Sequence, residues 1–214
     1  MQRLAACLFF CLAIASPVAA QPKEPIGPFV VDLRGAYGRH KAEPSVATDL
    51  GVTATNLPTK TFGLAGGAHV YPIRRKVSLG VGGNVVFVRG HQAIDITVEG
   101  AEEPVQGPIV RRNFTTFSPE ISLNFGHRNG WSYISGGMFG RSKLYVDRED
   151  APATTTTYRS TINYGGGARW FITNHVAFSV DFRWYSVDEQ PAATGVIAQP
   201  RTTLLILSGG LAFK

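Results

Sequence analysis

Residues 176–185 read VAFSVDFRWY, and the side chains alternate between two kinds along the whole segment. Every second position is apolar, from Val176 to Trp184, whereas the positions between them include Asp181 and Arg183. An alternation with a period of two is typical of a β-strand whose two faces meet different surroundings. The fold therefore depends on which face of this strand is turned outward, and on whether water or lipid surrounds it.

The same alternation occurs in seven further segments of the chain. In the first of them, residues 29–38, Asp32 and Arg34 share one face and apolar residues occupy the other. The remaining segments are residues 61–71, 77–87, 117–126, 131–140, 158–170 and 202–213. In the last segment, Leu204 and Ile206 blur the pattern. Eight such segments in a chain of 214 residues predict a single all-β domain.

The connections between these segments alternate in length. Short turns are expected at residues 72–76, 127–130 and 173–175, and long polar segments at residues 41–60, 90–112, 146–157 and 188–201. Short turns at one end and long loops at the other are typical of up-and-down barrels in bacterial outer membranes. We therefore predict an eight-stranded antiparallel transmembrane β-barrel over residues 29–214, with four long extracellular loops.

The less apolar face of the strands distinguishes this barrel from a soluble one, such as a lipocalin, whose apolar face would line a pocket. A protein surface in water is rich in Lys and Glu, whereas this face is mostly Gly, Ala, Ser and Asn. Small residues suit the interior of an eight-stranded barrel, which has room only for side chains. The apolar face is therefore predicted to meet lipid, and a soluble periplasmic ligand-binding barrel is the alternative.

Aromatic residues on the apolar face are predicted to form two girdles, one at each membrane interface. The girdle near the short turns consists of Phe29, Phe125, Trp131, Trp170 and Phe213. The girdle near the long loops consists of Tyr37, Phe62, Phe87, Phe117, Phe139, Tyr158 and Trp184. A soluble pocket gives no reason for aromatic residues to be sorted in this way.

The other face is predicted to bring a polar cluster into the barrel interior. Its members are Asp32, Arg34, Asn84, Glu120, Arg169, Asp181 and Arg183. Acids and bases share this space, and pairing offsets the cost of removing each charge from water. The cluster is therefore predicted to plug and rigidify the barrel, and a narrow ion path lined by the same residues is the alternative.

The N-terminus has the features of a secretory signal peptide. Arg3 supplies a positive charge, an apolar stretch follows it, and Val18 and Ala20 are small residues at the positions that a signal peptidase inspects. Cleavage is expected after Ala20, so that residues 1–20 are the signal and residues 21–28 a periplasmic lead-in. Both cysteines lie within the predicted signal, which leaves the mature chain without a disulfide or a thiolate metal site.

Nucleic-acid binding and most enzyme classes are disfavoured by the sequence. The net charge of +6 is mildly basic, but no run of Lys and Arg forms a nucleic-acid patch. The five histidines have no metal-ligand spacing, and no nucleophile elbow or phosphate loop is present. No cofactor is therefore expected. A lipid-modifying activity with His40 beside Ser142 or Ser186 is an alternative that the spacing does not require.

Two of the predicted loops are acidic and are candidates for binding divalent cations or a basic partner. The acidic side chains are Asp95, Glu99, Glu102, Glu103, Asp147, Glu149 and Asp150. Carboxylates in an exposed loop are also compatible with simple solvation, so the alternative is a loop that binds nothing.

The signal peptide, the eight alternating strands and the aromatic last strand together resemble the eight-stranded outer-membrane β-barrel family of the OmpA and OmpX type. In the last strand, Leu205, Leu207, Gly209, Leu211 and Phe213 are similar to the signal that the family presents to the barrel-assembly machinery. The resemblance implies residence in the cell outer membrane and contact with its lipid and lipopolysaccharide; no enzymatic activity is expected, because the sequence contains no catalytic motif. The resemblance also implies a role in envelope integrity or surface adhesion, through loops that contact surface ligands.

Overall fold

The computed structural model describes residues 27–96, 105–127, 130–152 and 155–214. The strands are β1 (Phe29–Arg39), β2 (Lys60–Arg74), β3 (Val77–Ile96), β4 (Val105–His127), β5 (Gly130–Arg148), β6 (Arg159–Phe171), β7 (Val176–Val187) and β8 (Thr202–Phe213). A short helix, α1 (Pro44–Asp49), and a 3-10 turn (Ala54–Asn56) lie between β1 and β2. The predicted signal peptide, residues 1–20, and most of the predicted lead-in, residues 21–28, lie outside the described residues. Within the described ranges, no helix has the length and apolar character needed to cross a bilayer.

The eight strands form one closed antiparallel ring in sequence order. Each strand pairs with its neighbours in the chain, and β1 pairs with β8 from Val31 opposite Phe213 to Arg39 opposite Leu205. The predicted fold class is confirmed. A closed ring leaves no unpaired sheet edge, which is the condition for strands to span a hydrocarbon layer that offers no hydrogen bonds.

The apolar faces of the strands form the outer wall of the barrel. In β7, Phe178 and Phe182 are 45% and 44% exposed, whereas Asp181 and Arg183 are buried in the lumen. A wall of exposed large hydrophobic side chains is incompatible with a soluble barrel, so that alternative is wrong. On β3 the outward positions stay free of charge from Val77 to Phe87, ten residues apart. At the usual strand rise and tilt this span is about 25 Å tall, the height of the apolar band of membrane barrels.

The prediction of a long loop at residues 90–112 is wrong over most of its length. β3 continues to Ile96 and β4 already begins at Val105. The alternation continues into this region, but its polarity is reversed: Val86 and Val88 face the lumen, and Arg89 faces outward. We call this reversal the polarity inversion. The apolar outer face of the strand ends at the polarity inversion. The strand continues beyond it as part of the barrel wall that faces water.

The first predicted loop is folded rather than open, and we call residues 40–59 the cap. Its apolar side chains pack against the upper ends of β4 and β5. The buried members of this cluster are Val46, Ala47, Leu50, Leu57, Val110 and Val146. Two arginines hold the cap backbone, because Arg112 donates to the Lys41 carbonyl at 2.9 Å and Arg148 to the Leu50 carbonyl at 2.8 Å. The cap is therefore a folded segment that packs against the extended ends of β4 and β5.

A β-bulge in β5 explains the one wrong assignment in the aromatic girdles. The pairing of β5 with both neighbouring strands shifts by one residue between Gly136 and Arg141. Met138 and Phe139 are consecutive and are both exposed, at 70% and 81%. Because the extra residue reverses which positions face outward, Trp131 lies in the lumen and is only 2% exposed. Trp131 is therefore not part of a lipid-facing girdle.

Candidate functional site in the barrel lumen

The lower lumen holds a layer of paired charges that crosses the barrel. Arg169 on β6 forms a bidentate salt bridge with Asp32 on β1, in which Nε lies 3.0 Å from Oδ1 and Nη2 lies 2.7 Å from Oδ2. Ser179 on β7 donates a further hydrogen bond to Asp32 Oδ1 at 3.0 Å. A guanidinium–carboxylate fork of this kind is among the strongest side-chain contacts in proteins. It connects strands on different sides of the lumen.

A second ion pair lies slightly higher in the lumen, around Asp181. Arg183 donates from Nη2 to Asp181 Oδ2 at 2.9 Å and from Nε to Oδ1 at 3.3 Å. Arg34 of β1 approaches the same carboxylate, with Nη1 3.4 Å from Oδ2. The remaining donors of Arg183 reach Asn163 at 3.1 Å and Ser135 at 2.8 Å. One carboxylate therefore has two arginines as partners, and these arginines belong to β1 and β7.

Tyr133 of β5 joins the two ion pairs. Its hydroxyl donates to Asp181 at 2.8 Å and accepts from Arg34 at 3.2 Å, while its ring lies 4.2 Å from the Arg169 guanidinium carbon. Gly167 on β6 makes this position available, because a Cβ at residue 167 would come 2.6 Å from the tyrosine hydroxyl oxygen. The glycines of this strand therefore make room for a neighbour in the lumen.

Glu120 of β4 extends the layer to two more strands. Its carboxylate contacts the Arg183 guanidinium and lies 3.7 Å from Nε2 of His69 on β2. All of these side chains are buried. The layer holds three arginines (Arg34, Arg169, Arg183) and three carboxylates (Asp32, Glu120, Asp181), so its formal charges balance. We call these six residues, with Tyr133 and His69, the charged layer.

Asn84 completes the set of sequence-predicted interior residues. It is buried on β3 and accepts a hydrogen bond from the Tyr185 hydroxyl of β7 at 3.3 Å. Of the predicted cluster, the structure brings six members into the charged layer and leaves Asn84 above it, against a tyrosine. Asn124 lies lower, within 3.4 Å of the Tyr71 hydroxyl.

Above the charged layer the lumen changes to apolar side chains, which we call the apolar layer. Its members are Ala36, Ala65, Val86, Val88, Phe114, Leu144, Tyr185, Val187, Leu204 and Ile206. On β1 the change takes one step of the alternation, from Arg34 to Ala36, and on β7 it takes one step from Arg183 to Tyr185. The ring of Phe114 packs edge-on against Tyr185, with centroids 5.6 Å apart. The lumen thus contains two layers of different chemistry, with the apolar layer above the charged layer.

Several members of the lumen network were not predicted from the sequence. A regular alternation over residues 131–140 would place Tyr133 on the outer face together with Trp131, and the bulge in β5 reverses that assignment. Ser135 and Asn163, which receive the donors of Arg183, carried no signal beyond their polarity. The glycines at 137 and 140 that flank the bulge were the signal available for Tyr133, because glycine inside a strand pattern often marks such an irregularity.

The remaining aromatic residues of the predicted girdles lie on the outer wall. Near the long loops, the rings of Tyr37 and Phe62 are 5.2 Å apart, and those of Tyr164 and Trp184 stack at 5.6 Å. Near the short turns, Trp170 stacks with Phe178 at 6.1 Å. Aromatic rings at these heights are typical of the two interfaces of a bilayer.

The histidine considered for a lipid-modifying site has a structural partner. Nε2 of His40 lies 3.0 Å from the Thr61 hydroxyl, and Ser142 accepts a hydrogen bond from Thr161 at 2.7 Å. His40 is buried beneath the cap. Burial, with the nearby Arg112 guanidinium as a second cause, lowers the pKa of His40 to about 3. A neutral, buried imidazole bonded to threonine belongs to the packing of the cap.

The acidic loop residues that the structure describes are paired with arginines. Glu149 lies 3.2 Å from Arg111, and Asp150 lies 2.5 Å from Arg148. Glu99, Glu102 and Glu103 lie outside the described residues. Among the described residues, no group of three or more His, Cys, Asp or Glu side chains is placed to hold a metal ion.

The sequence matches no protein-family model and no curated protein, whereas several solved structures share its fold. One is Ail, the attachment invasion locus protein of Yersinia pestis, with a TM-score of 0.50 and 11% identity over 88% of this chain and 100% of that one. Another is Neisserial surface protein A, with a TM-score of 0.52 and 11% identity over 88% of this chain and 97% of that one. At such identities the likeness concerns the fold. A ring of eight strands, an apolar outer band and these neighbours agree: the chain has the fold of an eight-stranded outer-membrane β-barrel.

Proposed function

We propose that this protein is a structural outer-membrane barrel with a role in envelope integrity or surface adhesion. The transmembrane part serves as a rigid support, and the extracellular cap and loops serve as the surface that meets partners. The observation that supports this proposal is that paired charges, and above them packed apolar side chains, occupy the lumen. Neither layer resembles a catalytic centre, so the proposal includes no enzymatic activity.

The alternative of a narrow pore requires a continuous wet path through both layers. The charged layer offers few free groups to a passing ion, because Asp181 already contacts Arg34 and Arg183. The apolar layer above it is formed mainly by hydrocarbon side chains, and a narrow apolar constriction loses its water readily. A resting conductance would therefore need both layers to move.

Conductance in a planar bilayer tests the proposal directly. The purified barrel is expected to give no steady current at moderate voltage, and rare, short events at most. A large and stable single-channel conductance would favour the pore and remove the structural plug from consideration. A general porin from the same host membrane, reconstituted in parallel, controls for successful insertion.

Display of the cap and loops on the cell surface is tested with matched epitope tags. A tag at the exposed Ala192, in the loop between β7 and β8, is expected to bind antibody on intact cells. The same tag beside Asn174, in the turn between β6 and β7, is expected to bind only after the outer membrane is opened. The reverse result would show that the orientation is inverted.

We also propose that the partners include outer-membrane lipid, lipopolysaccharide and the barrel-assembly machinery. The outward row of β8 ends at Phe213, which is 43% exposed. Phe213→Ala is expected to reduce the amount of folded, heat-modifiable barrel in the outer membrane. Phe178→Ala removes an equally exposed aromatic on β7, at 45%, and is the matched control. Equal losses for both variants would count against a recognition role for the last strand.

A further inference from the structure

The outer wall above the aromatic girdle carries a compact polar patch on β3, β4 and β5. Register places Phe87, Thr115 and Lys143 in one row across the three strands. The next row is Arg89, Asn113 and Tyr145. We call these six residues the outer patch. It combines two cations with three polar side chains and has Phe87 at its lower edge.

Neither cation of the outer patch has an acidic partner among the side chains that the structure describes. In that part of the chain, no ion pair of 4 Å or less involves Arg89 or Lys143. Lys143 instead has its ammonium 4.7 Å from the centre of the Tyr158 ring. Arg111, one step further from the membrane on β4, is paired with Glu149 at 3.2 Å. The positive charge of the outer patch is therefore available to an external anion.

The patch forms a concave surface that can hold a small headgroup. Its residues, with Thr155 and Thr156 of the loop between β5 and β6, enclose a groove of about 400 Å³. That volume lies at the lower end of small-ligand sites in proteins. Apart from Arg89 and Lys143, the groove presents amide, hydroxyl and phenol groups, which are suited to sugar hydroxyls.

The height of the groove relative to the membrane follows from the polarity inversion. Phe87 is the last outward apolar residue of β3, and Arg89 follows it on the same face. One step of the alternation raises a side chain by about 5 Å at the usual tilt of the strands. Arg89 therefore lies at the level of the lipid headgroups, and Lys143, which is in the row of Phe87, lies at the upper edge of the apolar band.

We propose that the outer patch binds the phosphate-bearing headgroup of an outer-leaflet glycolipid. Arg89 and Lys143 contact the phosphate, Asn113 and Tyr145 contact the sugar, and Phe87 meets the first acyl carbons. The ligand is a lipid rather than a soluble polyanion, because the lower edge of the groove is Phe87, an exposed aromatic residue at the top of the apolar band. This inference rests on the proposed placement in the outer membrane, and it assigns the site at which the lipid is held.

Native mass spectrometry of the whole mature barrel in detergent micelles tests the site, with a diphosphorylated glucosamine-disaccharide glycolipid as the probe. The parent is expected to bind this probe more tightly than the same glycolipid without phosphates. The double variant R89Q/K143Q is expected to lose affinity by about thirtyfold, since each surface cation contributes a factor of roughly five. Both positions are on the outer wall, and the gel shift of the unheated protein checks that the barrel is folded.

Two matched variants make the result specific. R75Q/K76Q removes the same two residue types from the exposed turn between β2 and β3, and it is expected to bind as the parent does. R89K/K143R keeps both charges and is expected to retain most of the affinity. Equal losses in R89Q/K143Q and R75Q/K76Q would reduce the effect to net charge and overturn the site.

Soluble ligands provide the second arm of the test. A sulfated disaccharide without acyl chains is expected to bind at least tenfold more weakly than the glycolipid. Binding of the sulfated sugar as tight as that of the glycolipid, and dependent on Arg89 and Lys143, would overturn the lipid assignment. A non-conducting, surface-displayed barrel that ignores the glycolipid would overturn this inference alone, whereas a conducting barrel would overturn the proposed function.

Discussion

The two layers of the lumen use opposite means to fill the same narrow space. In the charged layer, each side chain depends on particular partners: Asp181 needs two arginines, and Arg169 needs Asp32. In the apolar layer, side chains such as Leu204 and Ile206 need only neighbours of suitable volume. The first layer lies within the bilayer and the second lies towards the cap. The two layers therefore depend on different contacts: specific partners in the charged layer, and matching volume in the apolar layer.

The outer wall changes in step with the lumen. Where the lumen is charged, the wall carries Phe117 and Ile121, and where the lumen is apolar, the wall carries Asn113 and Arg111. A strand needs contrast between its faces to fix its register, because a slip of one residue would exchange them. Above the membrane interface, these strands carry polar side chains on the outer face and apolar side chains on the inner face. Each strand therefore keeps two unlike faces on both sides of the interface.

The largest effect is expected from Asp181→Ala in the charged layer. The change leaves Arg34 and Arg183 without their shared carboxylate, and an unpaired buried charge costs about 3–5 kcal/mol. The free energy of unfolding in urea, measured in detergent micelles, should fall by that amount, and brief channel openings should appear in planar bilayers. A variant as stable as the parent would show that water solvates the arginines in the lumen.

Leu204→Ala in the apolar layer is expected to lower the free energy of unfolding by about 2–5 kcal/mol, because it leaves a cavity among well-packed neighbours. Unlike Asp181→Ala, it leaves no charge unpaired, so recordings in planar bilayers should show no channel openings. Leu204→Met keeps the volume and should cost less than about 1.5 kcal/mol. Channel openings in Leu204→Ala would mean that the apolar layer, rather than the charged layer, is the barrier to ions.

Mild acid should destabilise the cap through His40. The pKa of folded His40 is about 3, below the value of 6.5 for a free histidine, so the unfolded chain takes up the proton first. The stabilising contribution is complete above about pH 6.5 and is lost as the pH falls towards 3. At pH 5.5 the loss is about 1.4 kcal/mol. His40→Asn, compared with the parent by urea unfolding between pH 7 and 5.5, should remove this part of the slope, and equal slopes would contradict the prediction.

The smallest effect is expected outside both layers, at the loop ion pair of Arg201 and Asp188. The two side chains are 2.7 Å apart but are 65% and 45% exposed. Exposed pairs of this kind contribute less than about 1 kcal/mol. Arg201→Gln should therefore leave the unfolding midpoint nearly unchanged, and a loss comparable to that of Asp181→Ala would mean that the loops, rather than the lumen, determine stability.

The sequence predicted the ring of strands because alternation is a local property that repeats eight times. It also assigned Asp181 and Arg183 to the inside, since their strand has one apolar face over its whole length in the bilayer. It missed the upper parts of β3 and β4, where the alternation persists with reversed polarity and the criterion of an apolar face fails. Which partner each arginine takes could not be predicted, because that depends on register across strands far apart in the chain. Leu204 and Ile206 interrupt the alternation of the last strand because they are apolar residues at lumen-facing positions, where they belong to the apolar layer.

The bulge in β5 has a consequence for comparing this sequence with others. Below the bulge, odd-numbered residues such as Trp131 face the lumen, and above it even-numbered residues such as Leu144 do so. An alignment to a barrel with a regular fifth strand must open a gap of one residue between Gly137 and Gly140. Without the gap, lipid-facing residues in one half of the strand are aligned with lumen-facing residues of the other barrel. Profile comparisons of this chain therefore gain by treating β5 as two short strands separated by an insertion.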